Sequence, residues 1–279
     1  MVTDSLRRGL GLLSRNPYLW LPGLVAGCLG ALDILLQFSY GTFLATRLWI
    51  LEALLIPFLL AGAYSQIKTG DQGYRAFLFG GMKYYFRILL PALLIAFVVL
   101  ATVILVSIPL LVVGAAGTVL PFIVIGCTIP IIFFTFFADT AAVFEDSGIF
   151  ECIRRSVEIV LNRPGSMIGF FLVCLGIIIL VGLPLAVIWT GLLYAQLLPL
   201  STMDPSQIQS FSIEMLNEML GSTGIQITAI VYCIAITVLG NILYAFKAAF
   251  YQKTIGEVSL TTPPVLQGEY DEKGRWYKY

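Results

Sequence analysis

Apolar residues run along this chain in long blocks rather than in alternation. Six blocks, at 19–40, 42–67, 88–113, 119–143, 167–200 and 225–250, are each long enough to form a transmembrane helix. About 20 apolar residues at 1.5 Å each cross the roughly 30 Å of bilayer hydrocarbon. The fifth block is the longest and holds Pro184, so one tilted helix and two half-helices both fit it. The pattern predicts an all-α fold, a polytopic membrane bundle of six helices.

Between the blocks lie shorter segments in which charged and apolar positions share a helical period. Residues 6–17 place Arg7 and Arg8 first, then an apolar stripe, then Arg15, Asn16 and Pro17. Residues 153–164 repeat the plan with Arg154, Arg155, a stripe, Asn162, Arg163 and Pro164. A looser copy at 74–91 scatters Arg75, Lys83 and Arg87 among Phe77, Phe79, Tyr84, Tyr85 and Phe86. Such segments read as helices lying in the headgroup layer, with arginines reaching lipid phosphate over an apolar face. The proline after the two closer copies favours a turn into the membrane. The expected layout is three units of interfacial helix plus helical hairpin, at about 1–67, 72–143 and 148–250. Together they make one membrane domain over 1–255, followed by a tail at 256–279.

Composition agrees with this class: 59% of the 279 residues are hydrophobic and 11% charged, with mean hydropathy +0.94. Charge adds orientation. Of sixteen lysines and arginines, all but Arg47 fall on one side of the six-span layout. Basic residues stay in the cytoplasm, so both termini are expected there, in a multi-pass protein of the cell membrane. The basic start followed by so long an apolar run reads as a retained anchor rather than a cleaved signal. Five cysteines, Cys28, Cys127, Cys152, Cys174 and Cys233, lack metal-ligand spacing and read as small buried residues.

Charges inside apolar blocks are candidate sites, because a carboxylate facing lipid is expensive. Asp33 and Glu52 fall at similar depths on either side of the first outer turn, with Arg47 as a single counter-charge. They form a candidate intramembrane polar site: a structural network, a cation- or proton-sensitive path, or groups reached by outside water. Asp139, Glu145 and Glu151 precede Arg154 and Arg155 and form a candidate clasp at the cytoplasmic face, with Glu151 spaced to meet either arginine. Candidate lipid-headgroup contacts are Arg7, Arg8, Arg15, Arg154, Arg155 and Arg163. Asn241, Gln226 and Gln196 are candidate interhelical hydrogen bonders, and Gly176, Gly182 and Gly191 candidate points of close helix approach. The outer segment 204–220 is spaced for an amphipathic helix capped by Asp204 ahead of Pro205. In the tail, Pro263-Pro264 and the end Arg275-Trp276-Tyr277-Lys278-Tyr279 suit docking on the cytoplasmic face or on anionic lipid.

The stretch from Phe137 to Pro164, with Glu145, Gly148, Glu151, Arg154, Arg155, Ser156 and Asn162, resembles a cytoplasmic element of a group of six-span bacterial and archaeal proteins. That group includes the membrane domain associated with some glycerophosphoryl diester phosphodiesterases. The resemblance implies the six-span layout over roughly 1–255. It does not carry the hydrolase activity, whose separate barrel needs catalytic histidines. This chain has no histidine.

Two functions fit these readings. The first is a non-enzymatic membrane protein organising lipid, anionic lipid included, or a membrane-protein partner or second copy, through its basic interfacial helices. The second is a small-solute or ion transporter using Asp33, Arg47 and Glu52. An enzyme acting on lipid ranks third, because no nucleophile–base set stands out. No catalytic, metal or cofactor set emerges, and sixteen acids balancing sixteen bases argue against nucleic acid.

Overall fold

A computed structural model describes residues 2–40, 42–112, 116–199, 213–261, 269–270 and 276–277. The chain is an all-α polytopic membrane protein with six helices long and apolar enough to cross a bilayer. Helix α1 (Val2–Arg15) is amphipathic, and its buried side carries Ser5, Gly9 and Leu13. A single 3-10 turn (Pro17–Trp20) then redirects the chain, capped by the Asn16 side chain, which accepts a hydrogen bond from Tyr18 N. The Asn-Pro pair thus makes the expected turn into the first span.

The spans are α2 (Leu21–Tyr40), α3 (Thr42–Thr69), α4 (Tyr74–Val112), α5 (Ala116–Thr135) extended by α6 (Ala138–Phe144), α8 (Pro164–Leu192) and α10 (Ile213–Thr261). Between them, α7 (Ile149–Asn162) is the second amphipathic helix, and α9 (Tyr194–Leu197) is one turn after α8. Side by side, the spans follow the order α5, α4, α3, α2, α10, α8, an arc in which the sixth span packs against the first. The arc's ends meet where Phe133 of α5 stacks on Phe171 of α8, with ring centroids 5.1 Å apart. At the same end, α1, α6 and α7 cover the bundle. The described basic residues other than Arg47 gather there, which makes it the basic end of the bundle.

Two spans differ from the expected outline, and a third takes one of its two expected forms. The middle unit has no separate surface helix, because 74–91 and the third span form one 39-residue helix, α4, which runs through Pro91 and Pro109. Prolines are tolerated within membrane helices because neighbouring groups satisfy the freed carbonyls. Span five is continuous through Pro184. Span four breaks at Phe136–Phe137, where neither proline nor glycine marks the sequence. Ser156 of α7 repairs that break by donating to Phe134 O at 2.7 Å and accepting from Phe137 N at 3.0 Å.

Close packing lies elsewhere than on span five. A Cβ at Gly176, Gly182 or Gly191 would meet nothing within 4 Å, so these glycines do not admit a neighbouring helix. A Cβ at Gly23, Gly27 or Gly30 of α2 would come within 2.5 Å of Asn241, Cys233 or Tyr232 on α10. Asn241 is fully buried. It accepts from Gly23 N at 3.0 Å and donates to Trp20 O at 3.1 Å, satisfying backbone groups where α2 begins. Tyr244 adds a hydrogen bond from its hydroxyl to Leu19 O.

The proposed cap at Asp204 and Pro205 lies outside the described residues. The described part, from Ile213, is helical and joins span six across Gly221, whose φ of 60° departs from the helix. Of the tail, Glu269–Tyr270 (β1) pairs antiparallel with Trp276–Tyr277 (β2). Pro263, Pro264 and Arg275 lie outside the described residues.

Candidate functional site

The basic end holds three polar clusters, each joining elements far apart in sequence. The innermost centres on Asp139, in the first turn of α6. Its carboxylate receives Lys247 Nζ of α10 at 2.6 Å, the Tyr64 hydroxyl of α3 at 3.1 Å and Thr140 N at 2.7 Å. Lys247 also sits 4.3 Å from the centre of the Phe136 ring. The pair is largely removed from solvent, with side-chain exposures of 11% for Lys247 and 22% for Asp139. A buried pair of this kind persists only when its remaining hydrogen bonds are met, and Tyr64 and Thr140 meet them.

The second cluster pins α7. Arg155 Nε donates to Glu145 at 3.0 Å, and its guanidinium also reaches Glu158 at 3.4 Å. The Tyr251 hydroxyl of α10 donates to the same Glu145 oxygen at 2.9 Å. Arg154 pairs with Glu158 at 3.1 Å. The clasp therefore runs through Glu145 and Glu158, while Glu151 is exposed. Cys152 beneath it is buried, and burial pushes its thiol up to about 11, a state in which a thiol is a poor nucleophile.

The third cluster joins α3, α4 and the α6–α7 turn. Lys68 of α3 pairs with Asp146 and donates to Val143 O at 2.8 Å. Arg87 of α4 reaches the other Asp146 oxygen at 3.1 Å. The Lys68 hydrogen bond outweighs partial burial and holds the Asp146 carboxyl below its usual value. Asp146 itself has a positive φ of 53°, strain of the kind that persists where surroundings over-determine the backbone.

Two apolar cavities flank the Asp139–Lys247 pair, and both have Leu60, Phe136, Asp139 and Lys247 in their walls. The larger, about 650 Å³, lies among α3, α4, α5 and α10. The smaller, about 470 Å³, lies among α2, α3, α8 and α10. Both volumes suit a small-molecule site, and carbon dominates both linings apart from the ion pair.

The remaining sequence candidates scatter. Asp33 on α2 and Glu52 on α3 are half-buried and within electrostatic reach of each other, whereas Arg47 is exposed. Arg7, Arg8 and Arg15 share the exposed side of α1, whose other side packs Gly9 onto the α10 backbone at Ala245 and Phe246. Arg163 is half-buried at the α7–α8 junction. Among the described residues, no group of three or more histidines, cysteines or carboxylates could hold a metal ion. Sequence reasoning missed Lys247 and Tyr64 as partners of Asp139. Lys247 has the look of an orientation charge at the end of a span, and its one distinguishing signal is the apolar run that continues past it to Tyr251.

No curated protein and no solved structure matches the chain. Over residues 1–254 it matches, and so belongs to, the family described as Domain of unknown function (DUF7847).

Proposed function

We propose that this is a non-enzymatic membrane protein that holds membrane lipid within its arc of spans, with both termini in the cytoplasm. The observation carrying the reading is the pair of carbon-lined cavities that share Asp139 and Lys247 at their walls. A cavity of this composition takes an acyl chain readily, and the lone ion pair offers a polar contact to one end of an amphiphile. The orientation rests on the side-to-side imbalance of basic residues. The exposed arginines of α1 leave room for a further lipid or membrane-protein contact at the same face.

The test fills each cavity separately. Ala96 lines the larger cavity and Ala26 the smaller. Native mass spectrometry of Ala96→Trp and Ala26→Trp should each show one class of co-purified lipid lost from the parent protein. Unchanged lipid in both variants would remove the reading.

Solute or ion transport is the second reading, favoured by the half-buried Asp33 and Glu52 on adjacent spans. It predicts a proteoliposome flux that Asp33→Asn with Glu52→Gln abolishes, whereas lipid holding is indifferent to that change.

A further inference from the structure

Resting on the lipid-holding reading, we infer that the larger cavity takes an anionic phospholipid whose phosphate sits on Lys83 and Arg87. The charge imbalance lies in the middle unit. Lys68, Lys83 and Arg87 surround the Tyr84 ring, their charged ends 5.4, 4.8 and 5.7 Å from its centre. Among the described residues the carboxylate paired with this group is Asp146, which Lys68 and Arg87 already share. Lys83 is exposed and has no ion pair among the described residues. Three cations against one acid leave a surplus of positive charge at one spot.

The expected headgroup arginines of α7 contrast with this. Arg154 and Arg155 are engaged by Glu145 and Glu158, so two acids already answer those two cations. The cations of α4 are better placed to take an added anion.

Depth and continuity say what that anion is. On the same turns of α4, Phe79, Met82 and Phe86 are exposed, at 64% or more. Exposed rings and a thioether belong against hydrocarbon, so Lys83 and Arg87 lie at the membrane boundary and reach outward from it. One helical turn beyond Arg87 comes Pro91, which with Ile88, Ala92 and Ile95 belongs to the α4 wall of the larger cavity. That wall continues to Val103, about 22 Å from Ile88 at 1.5 Å per residue. Half of the bilayer hydrocarbon is about 15 Å, so the wall accommodates a chain hanging from a phosphate at Arg87. A free phosphate would use the cations and leave the apolar wall bare.

The experiment presents the detergent-purified protein with equimolar phosphatidylglycerol and phosphatidylcholine and reads bound lipid by native mass spectrometry. The parent should prefer phosphatidylglycerol. Lys83→Gln should reduce that preference about fivefold, the ratio for one basic residue at an anionic surface, and Lys83→Gln with Arg87→Gln should reduce it further. Because Lys83 makes no ion pair among the described residues, the single variant breaks no salt bridge and gives up only the contact with the Tyr84 ring. Arg154→Gln with Arg155→Gln should keep the parent preference. An unchanged preference in Lys83→Gln and in the double variant, or an equal loss in the α7 variant, overturns the inference while leaving lipid holding intact. Displacement of phosphatidylglycerol by inorganic phosphate in large excess would make the site one for free phosphate and overturn it too. A parent protein that retains neither lipid removes the inference together with the lipid-holding reading.

Discussion

The two ends of the bundle are built on different terms. At the basic end, Phe137, Phe170, Phe246, Phe250 and Tyr251 are fully buried, and the polar clusters join α3, α4, α6, α7 and α10. Towards the opposite end the spans turn apolar side chains outward, with Leu105, Val112, Phe122 and Leu180 all more than 70% exposed. In water such exposure would be unstable. In a bilayer the surroundings are as apolar as the side chain, so burial against a neighbour gains little. What must be satisfied in either medium is the polar group, and those groups concentrate at the basic end. The structure is held together where it is polar and left to lipid where it is not.

The sharpest way to break this contrast is to unpair the central charge. Lys247→Leu leaves Asp139 buried without its counter-charge and should lower stability by about 3–5 kcal/mol. Lys247→Leu combined with Asp139→Asn should recover much of that loss. Unfolding by denaturant in detergent micelles measures both, and a Lys247 variant as stable as the parent would show that the ion pair contributes little.

A smaller effect separates two sets of glycines. Gly23→Ala would place its Cβ 2.5 Å from Asn241 Nδ2, on a side chain already held by Trp20 O, Thr237 O and Gly23 N. Overpacking of this kind costs about 1–3 kcal/mol. Gly176→Ala, Gly182→Ala and Gly191→Ala enter open space and should leave the detergent Tm unchanged or slightly raised. Equal loss in both sets would mean that α8 has a partner surface along its length.

The smallest effect is a pH dependence at the α3–α4 corner. Because Lys68 holds the Asp146 carboxyl low, the folded state favours the ionised form. The stabilisation is complete above the ordinary aspartate value of about 3.9 and fades as pH falls through the lower folded value. Melting followed from neutral to acid pH should show the parent's advantage over Asp146→Asn shrinking only at the acid end. An advantage that instead fades between pH 7 and 5 would assign the linkage to another group.

The sequence made the spans legible because twenty apolar residues in a row have few other uses. It also pointed to Asn241, since an amide within an apolar helix seeks partners. It did not reveal where those partners lie. The break in span four is stabilised by Ser156, about twenty residues downstream, and nothing in the local sequence marks it. The separate surface helix expected at 74–91 merges with span three because its helical period never breaks and Pro91 is accommodated. Asp139 was legible as a charge that needs a partner, but the expected partners were the arginines of α7, which pair with Glu145 and Glu158 instead. Its cation, Lys247, stands 108 positions away and carries the same topological signal as any terminal lysine. The arginines of α7 were legible as charges, and Glu158 stands one helical turn from both, but the pairing of Arg155 with Glu145 depends on a turn that only the fold supplies.

The seam between α2 and α10 has a consequence for synthesis. The backbone groups that open the first span are completed by Asn241 and Tyr244, and α1 is tied by Asp4 to Lys253, 249 residues away. A ribosome delivers the N-terminus first. Helix α2 therefore enters the membrane with its glycine face uncovered and waits there until the last span is made. The arc closes only once α10 has been made, so a chain halted before α10 would present that small-residue face to any other helix in the membrane.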